Sequence, residues 1–192
     1  MAILYLKLTQ ADGVVGHFRF TAGKKTELEL LPTAKQPVVI EAKMFSRLSG
    51  GIRNATFYDQ AVRTVACIGA AMDQSQKTVQ DLESIGFYVF APEEQIKREI
   101  FTEQMTANSI RQKLQRRVEQ YQSDREKYQK LQYWLREALE PLLERTRLGC
   151  WSWEKAIEGI RQAHPDQAVV VEKFYQSCLR FNRNQSLFEG GP

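Results

Sequence analysis

Hydrophobic and polar positions alternate with a period of two along roughly the first forty residues, and the period becomes helical after Ser49-Gly50-Gly51. Ile3 to Leu8 sets Ile3, Tyr5 and Lys7 on one face and Leu4, Leu6 and Leu8 on the other. Ala11-Asp12-Gly13 reads as a turn, and Val14 to Phe20 as a second strand forming a hairpin with the first. After Gly23-Lys24-Lys25, the run Thr26 to Leu31 places Glu27 and Glu29 opposite Leu28 and Leu30, and Pro32 closes it. Pro37 to Lys43 is apolar and β-branched through Ile40, and Pro37 is tolerated at the first position of such a strand. These segments predict a four-stranded antiparallel meander.

Beyond the glycine pair, Ala61, Val65, Ile68 and Met72 recur at spacings of three and four, which predicts a core-facing helix over about 56–72. Gln60 and Arg63 lie on a neighbouring stripe. A shorter helical piece over 77–85 is expected to stop at Gly86, followed by a compact strand, Phe87 to Phe90, ended by Ala91-Pro92. Strand, helix, strand is a crossover, so Phe87 to Phe90 is expected parallel to the Glu41 strand and beside it. From Glu93 the pattern is almost wholly helical. One stripe runs through Ile96, Ile100, Ile110, Leu114, Val118 and Tyr121, and another through Leu131, Leu135, Leu139 and Leu142. A helical hairpin accounts for both, with Ser123-x-x-Glu126 as a capping box, Pro141 as a kink, Ser152 as the cap of a short helix and Pro165-Asp166 opening a last one. The fold class is therefore α/β, a mixed sheet with a crossover helix followed by a helical C-terminal half. Residues 1–92 form the core, 93–184 the helices and 185–192 a frayed tail.

A chain of 192 residues suits one core with a helical extension. A formal charge of +4, with both signs mixed along the chain, permits nucleic-acid binding without arguing for it. Cys67, Cys150 and Cys178 are odd in number and far apart, and read as reduced thiols of a cytoplasmic protein. No apolar run approaches the roughly 18 residues needed to span a bilayer, and Met1 leads straight into a strand-like pattern, so neither membrane nor signal peptide is expected. His17 and His164 lack partners at metal-ligand spacing, and no Gly-rich phosphate loop is present. Lys113, Arg116, Arg117, Arg125, Lys127 and Lys130 are interleaved with Glu119, Asp124 and Glu126, the pattern of a solvated helix face, with contact to a DNA backbone as the other reading.

The chemistry-bearing stretch is Glu41-Ala42-Lys43. Residues two apart on a strand share a face, so a carboxylate and an ammonium emerge together from the end of a buried strand. That pair suits metal-assisted hydrolysis, with the carboxylate holding Mg²⁺ and the lysine steadying an attacking water or phosphate charge; an ordinary ion pair at a strand end is the other reading. Glu29 lies on the preceding predicted strand, where adjacent antiparallel pairing would bring its carboxylate to the same ion; the other reading makes it the wet face of an edge strand. Asp12 is a rival ligand in a turn, where aspartate is common for backbone reasons.

Glu29, Glu41-Ala42-Lys43, a following helix with Gln60-Ala61-Val62-Arg63 and a strand ending in Ala91-Pro92 together resemble the PD-(D/E)XK nuclease superfamily, the restriction-endonuclease-like fold. The resemblance covers about residues 26 to 92, and Trp151-Ser152-Trp153-Glu154 and Phe174-Tyr175 to Asn182 are similar to C-terminal helices seen in some members. It implies Glu29 as the first acid, Glu41 as the second, the Ala42 backbone carbonyl as a further ligand and Lys43 as the water or transition-state residue. Gln60 would support the site from the helix and Arg63 would contact a phosphate. The implied cofactor is Mg²⁺, or Mn²⁺, and the implied activity is phosphodiester hydrolysis of nucleic acid, with DNA expected. Leu28-Glu29 departs from the family's Pro-Asp, and the chain starts in a strand where the family tends to have a helix, which leaves open a trimmed domain or a partner that completes it. The alternative is a catalytically silent member of the fold acting as a protein-interaction or DNA-binding module through its helical half, with Tyr128, Tyr133 and Trp134 available for a homodimer.

Overall fold

The computed structural model describes residues 11–20, 28–51 and 53–182. The expected strand at 3–8, residues 21–27 and the tail lie outside them.

The run expected as one strand over 14–20 is two: β1, Gly13–Gly16, and β2, Phe18–Phe20. The break is set by Gly16, whose φ of 150° is a conformation that suits glycine, and whose backbone approaches Gln36 so closely that a Cβ would lie 2.2 Å from the Gln36 carbonyl oxygen. The chain changes sheet there. β1 pairs antiparallel with β4, Pro37–Ala42, from Gly13↔Ile40 to Gly16↔Pro37, whereas β2 pairs with β3, Leu28–Leu30, in a separate two-stranded sheet. The four-stranded meander is thereby corrected. Its middle strand serves two sheets, and β3 is not the neighbour of β4.

The crossover forms as the periodicity predicts. Helix α1, Gln60–Gln74, buries Ala61, Val65, Ile68 and Met72, and β5, Ile85–Ala91, runs parallel to β4 from Val38↔Gly86 to Ala42↔Phe90. The helix expected over 77–85 shrinks to a single 3-10 turn at Val79–Asp81, because the Asp81 carboxylate accepts from both the Thr78 amide (2.7 Å) and hydroxyl (2.8 Å) and closes the turn at once. Gly86 is a strand residue, and a Cβ there would sit 2.6 Å from the Tyr88 ring. A strand hidden from the helical pattern follows much later: β6, Thr146–Ser152, parallel to β5, gives a mixed sheet in the order β1-β4-β5-β6. Leu148-Gly149 lies inside this strand and does not end a helix. The C-terminal half is thus not helical throughout, and the two segments share one sheet.

The remaining elements are α2 (Glu93–Lys97), α3 (Ala107–Glu119), α4 (Arg125–Trp134), α5 (Glu140–Arg145), α6 (Trp153–Ala163) and α7 (Pro165–Asn182). Asp124, and not Ser123, caps α4 through the Lys127 amide, 3.2 Å away. Between α4 and α5 the backbone takes a π turn over Leu135–Leu139. Pro141 stands two residues beyond its end, inside the first turn of α5; it has no N–H to give and its ring crowds the preceding turn, so the expected kink takes this wider form. Ile110, Leu114, Val118, Leu131, Leu139 and Leu142 are buried against α1 and the sheet in one core. Ser152 caps α6 as expected, accepting from the Lys155 amide at 3.1 Å. Helix α7 buries Ala168 and Tyr175 but leaves Val170, Phe174 and Phe181 at 69%, 70% and 79% exposure. No disulfide joins the three cysteines. Among the described residues no helix is long and apolar enough to cross a membrane.

Candidate active site

Strand β4 is central because β1 and β5 occupy both its edges, so the side chains at its C-terminal end emerge among packed neighbours. Glu41 is 1% exposed there. The Lys43 ammonium, on the same face, lies 3.6 Å from Glu41 Oε2 with a side chain only 12% exposed. Glu41 Oε1 is buried and has no hydrogen-bond partner. A buried carboxylate oxygen left unsatisfied is costly, and the cost registers in the protonation equilibrium. Burial raises the Glu41 pKa from its ordinary 4.5 to about 7; the Lys43 charge opposes that rise, and nearby Asp12 adds to it.

Asp12 is the second carboxylate. It immediately precedes β1, and the register Gly13↔Ile40 carried one step further sets it opposite Glu41, where antiparallel partners share a face. Its Oδ2 accepts from the Ala42 amide at 2.8 Å, which fixes it against the end of β4. The turn position that suits aspartate for backbone reasons is also what places it here. Lys43 is held from both sides of its own peptide: its amide donates to the Phe90 carbonyl at 2.7 Å, and its carbonyl accepts from Trp153 Nε1 at 3.0 Å. Phe90 in turn packs on Trp153 (centroids 5.2 Å apart) and stacks on Trp151 (6.3 Å), which is half exposed. The site therefore has an aromatic flank that no sequence spacing announced, because Trp151 and Trp153 reach it only through β6.

Three of the expected participants are elsewhere engaged. Glu29 lies on β3 and pairs with Arg19 of β2 through two hydrogen bonds of 2.8 and 2.9 Å, so it is not the first acid beside Glu41; β1 has taken the edge of β4 that Glu29's strand was expected to fill. Gln60 is buried at the start of α1, its Oε1 accepting from the Ser49 backbone amide at 3.0 Å while the Gln60 backbone N–H donates to Ser49 O at 2.9 Å. Arg63 donates to the Gly50 and Tyr58 carbonyls, both at 2.9 Å, and to Ser49 Oγ at 2.8 Å. Both side chains clamp the segment joining Lys43 to α1, and neither is presented to a metal or a phosphate. Ala42, expected to offer its carbonyl to the ion, enters the site through its amide on Asp12.

One polar cluster beneath this segment was not anticipated. Asp59 is 5% exposed; its Oδ1 caps α1 at the Val62 amide (3.2 Å), and its Oδ2 receives Lys113 Nζ at 2.7 Å and Gln104 Nε2 at 3.1 Å. An aspartate just before a helical stripe is a cap signal, but its cation partner on α3 is set by tertiary packing alone.

Among the described residues no group of three or more histidine, cysteine or acidic side chains is arranged to hold a metal. The site offers two carboxylates and an ammonium. That donor set fits Mg²⁺, which is commonly held by one or two carboxylates with waters and substrate phosphate oxygens completing its shell, and the orphaned Glu41 Oε1 is the hard oxygen such an ion would take. Compared with protein-family models, curated proteins and solved structures, the chain matches none.

Proposed function

We propose that the chain is a Mg²⁺-dependent phosphodiesterase acting on nucleic acid, a nuclease of the PD-(D/E)XK type in which Asp12 takes the place expected of Glu29. The observation that carries this reading is Glu41: a carboxylate 1% exposed at the end of a central strand, with one oxygen unpartnered, a lysine beside the other and a second carboxylate opposite. Asp12 and Glu41 would hold the ion. When bound, Mg²⁺ supplies Lewis-acid stabilisation of phosphate charge and a lowered pKa for a bound water. Lys43 acts from the protein side. Its ammonium, with its backbone fixed by Phe90 and Trp153, orients the water and offsets charge on the phosphate as the water oxygen bonds to phosphorus. The P–O ester bond breaks with its electron pair passing to the leaving oxygen, and the proton lost by the attacking water is returned through solvent to that oxygen. Trp151 offers a half-exposed ring on which a base can stack.

The test is a cleavage assay on single- and double-stranded DNA and RNA with Mg²⁺ or Mn²⁺ against EDTA. Wild type should cleave only with metal. Lys43→Ala should fall by roughly 100-fold or more while keeping metal-dependent stabilisation, because the lost group acts on water and developing charge and not on packing. No cleavage of any substrate, with no metal-dependent rise in melting temperature, overturns the proposal. A second reading, an interaction module on the same fold, is favoured by the apolar face that α7 turns outward at Val170, Phe174 and Phe181. An inactive protein whose concentration-dependent association is removed by Phe174→Ser would support it.

A further inference from the structure

The four-stranded sheet has two unlike faces. Ile85, Phe87 and Val89 of β5 are buried in the core with α1, and the residues that alternate with them point the other way. By register, Val38 and Ile40 of β4, Tyr88 and Phe90 of β5, and Arg147 and Trp151 of β6 share that second face. All six are half-buried or exposed, and none joins the core. Parallel strands are ordinarily covered on both sides, so an apolar face in this state has room for a partner. Its rings are accessible because glycines flank them. Gly86 precedes Tyr88 by two residues and Gly149 lies directly across from it; a Cβ would fall 2.6 Å from Tyr88 Cε2 at the first and 3.3 Å from Cε1 at the second. Phe90 stacks on Trp151, planes inclined by 29°, and leaves the indole half exposed. Strand spacing of about 4.8 Å and a rise of about 3.3 Å per residue set Tyr88 and Trp151 on the order of 8 Å apart at the backbone, enough for a separate base on each.

Charge narrows the partner. Arg147 is exposed and forms no ion pair among the described residues, and no acid occupies the paired positions of this face from Gly13↔Ile40 to Phe90↔Trp151. A second copy of the chain seated here would bury that guanidinium with nothing on the face to neutralise it. A duplex keeps its bases stacked on one another, whereas a single strand can lay a base on each ring and a phosphate on the arginine. The face also runs into the carboxylate site. Ala42, exposed on it opposite Phe90, sits between Glu41 and Lys43, and Phe90 packs on Trp153, whose Nε1 donates to the Lys43 carbonyl. We infer that the sheet face around Tyr88 and Trp151 is a stacking platform for single-stranded nucleic acid, with Arg147 on its phosphates; that the strand then passes to Glu41 and Lys43 rests on the nuclease reading above.

The probes are fluorescein-labelled oligothymidylate and oligouridylate of about 12 nucleotides and a duplex of the same length, titrated onto the full chain in EDTA so that anisotropy reads binding without cleavage. Single strands should bind roughly tenfold or more tighter than the duplex, and any preference between the two names the sugar. Trp151→Ala should weaken binding roughly five- to hundredfold, the range of one base–aromatic stack, and Trp151→Phe should keep most of it. Arg147→Gln should flatten the fall of log affinity with log salt by about 0.7. Circular dichroism checks folding; should Trp151→Ala not fold, the salt slope of the exposed Arg147→Gln decides. Absence of saturable binding, a duplex bound as tightly as the single strand, or unchanged affinity in Trp151→Ala overturns the inference, as does a dimer that Trp151→Ala dissociates in a protein that binds no oligonucleotide. Single-strand binding by a protein that cleaves nothing with metal supports the platform and removes the nuclease reading; metal-dependent cleavage with affinity unmoved by Trp151→Ala removes the platform alone.

Discussion

Replacing Glu41 by glutamine keeps the shape of the side chain and removes its charge, which makes the stability of the metal-free protein a direct report on the site. In the folded state Glu41 binds its proton with a pKa of about 7, against an ordinary 4.5. Between those values the folded state holds a proton that the unfolded state has released. Stability from this group is therefore fully present below about pH 4.5 and is lost as pH rises through about 7. At about 1.4 kcal/mol per pKa unit the whole loss is about 3 kcal/mol, and about 2 kcal/mol of it falls between roughly pH 5.5 and pH 8. Glutamine does not titrate. The stability of Glu41→Gln relative to wild type should accordingly rise by about 2 kcal/mol from the lower to the higher pH, a relative shift of about 1 M in the urea midpoint for a slope near 2 kcal/mol per molar. The comparison between two pH values cancels the constant cost of leaving Lys43 without its carboxylate. Urea unfolding in EDTA at both pH values measures it. At about pH 8, Mg²⁺ in large excess over its dissociation constant should restabilise wild type, by about 2.7 kcal/mol at a hundredfold excess, and leave the variant unmoved. An unchanged difference between the two proteins at the two pH values would refute the reasoning: Glu41 would then be ionised throughout, an ion pair with Lys43 and nothing more.

Three further outcomes follow from named contacts. Asp12→Asn should remove most metal-dependent cleavage, whereas Glu29→Gln should leave it at the wild-type rate, because only Asp12 stands opposite Glu41; a nuclease assay of the two variants side by side gives the answer. Gly16→Ala should lower stability by about 2 kcal/mol or more, measured by urea unfolding, since it combines a positive φ with a Cβ driven onto the Gln36 carbonyl. Asp59→Ala should cost about 3 kcal/mol, because it strands the Lys113 ammonium and uncaps α1; restoring much of that loss by adding Lys113→Met in a double-mutant cycle would locate the cost in the unpaired cation.

Alternation, helical period and strand-side spacing are local properties, and the sequence by itself carried them. They were enough for β4 beside a parallel β5, for the buried face of α1, for the cap at Ser152, and for Glu41 and Lys43 on one face. Which acid joins Glu41 is a different kind of question, since it depends on strand order. Glu29 was the nearer candidate along the pattern, and a contact between Gly16 and Gln36, invisible to any period, turned the chain into another sheet and brought Asp12 to β4 in its place. The same holds for β6, whose pairing is with a strand some sixty residues earlier, from Ile85↔Thr146 to Ala91↔Ser152, and for Trp153 on the Lys43 carbonyl. Gln60 and Arg63 carry groups suited to a metal or a phosphate, but loop backbone lay closer and took their hydrogen bonds. Residue types set what a side chain can do; long-range packing decided its neighbours, its water and hence its proton, as the raised pKa and unpartnered oxygen of Glu41 make plain.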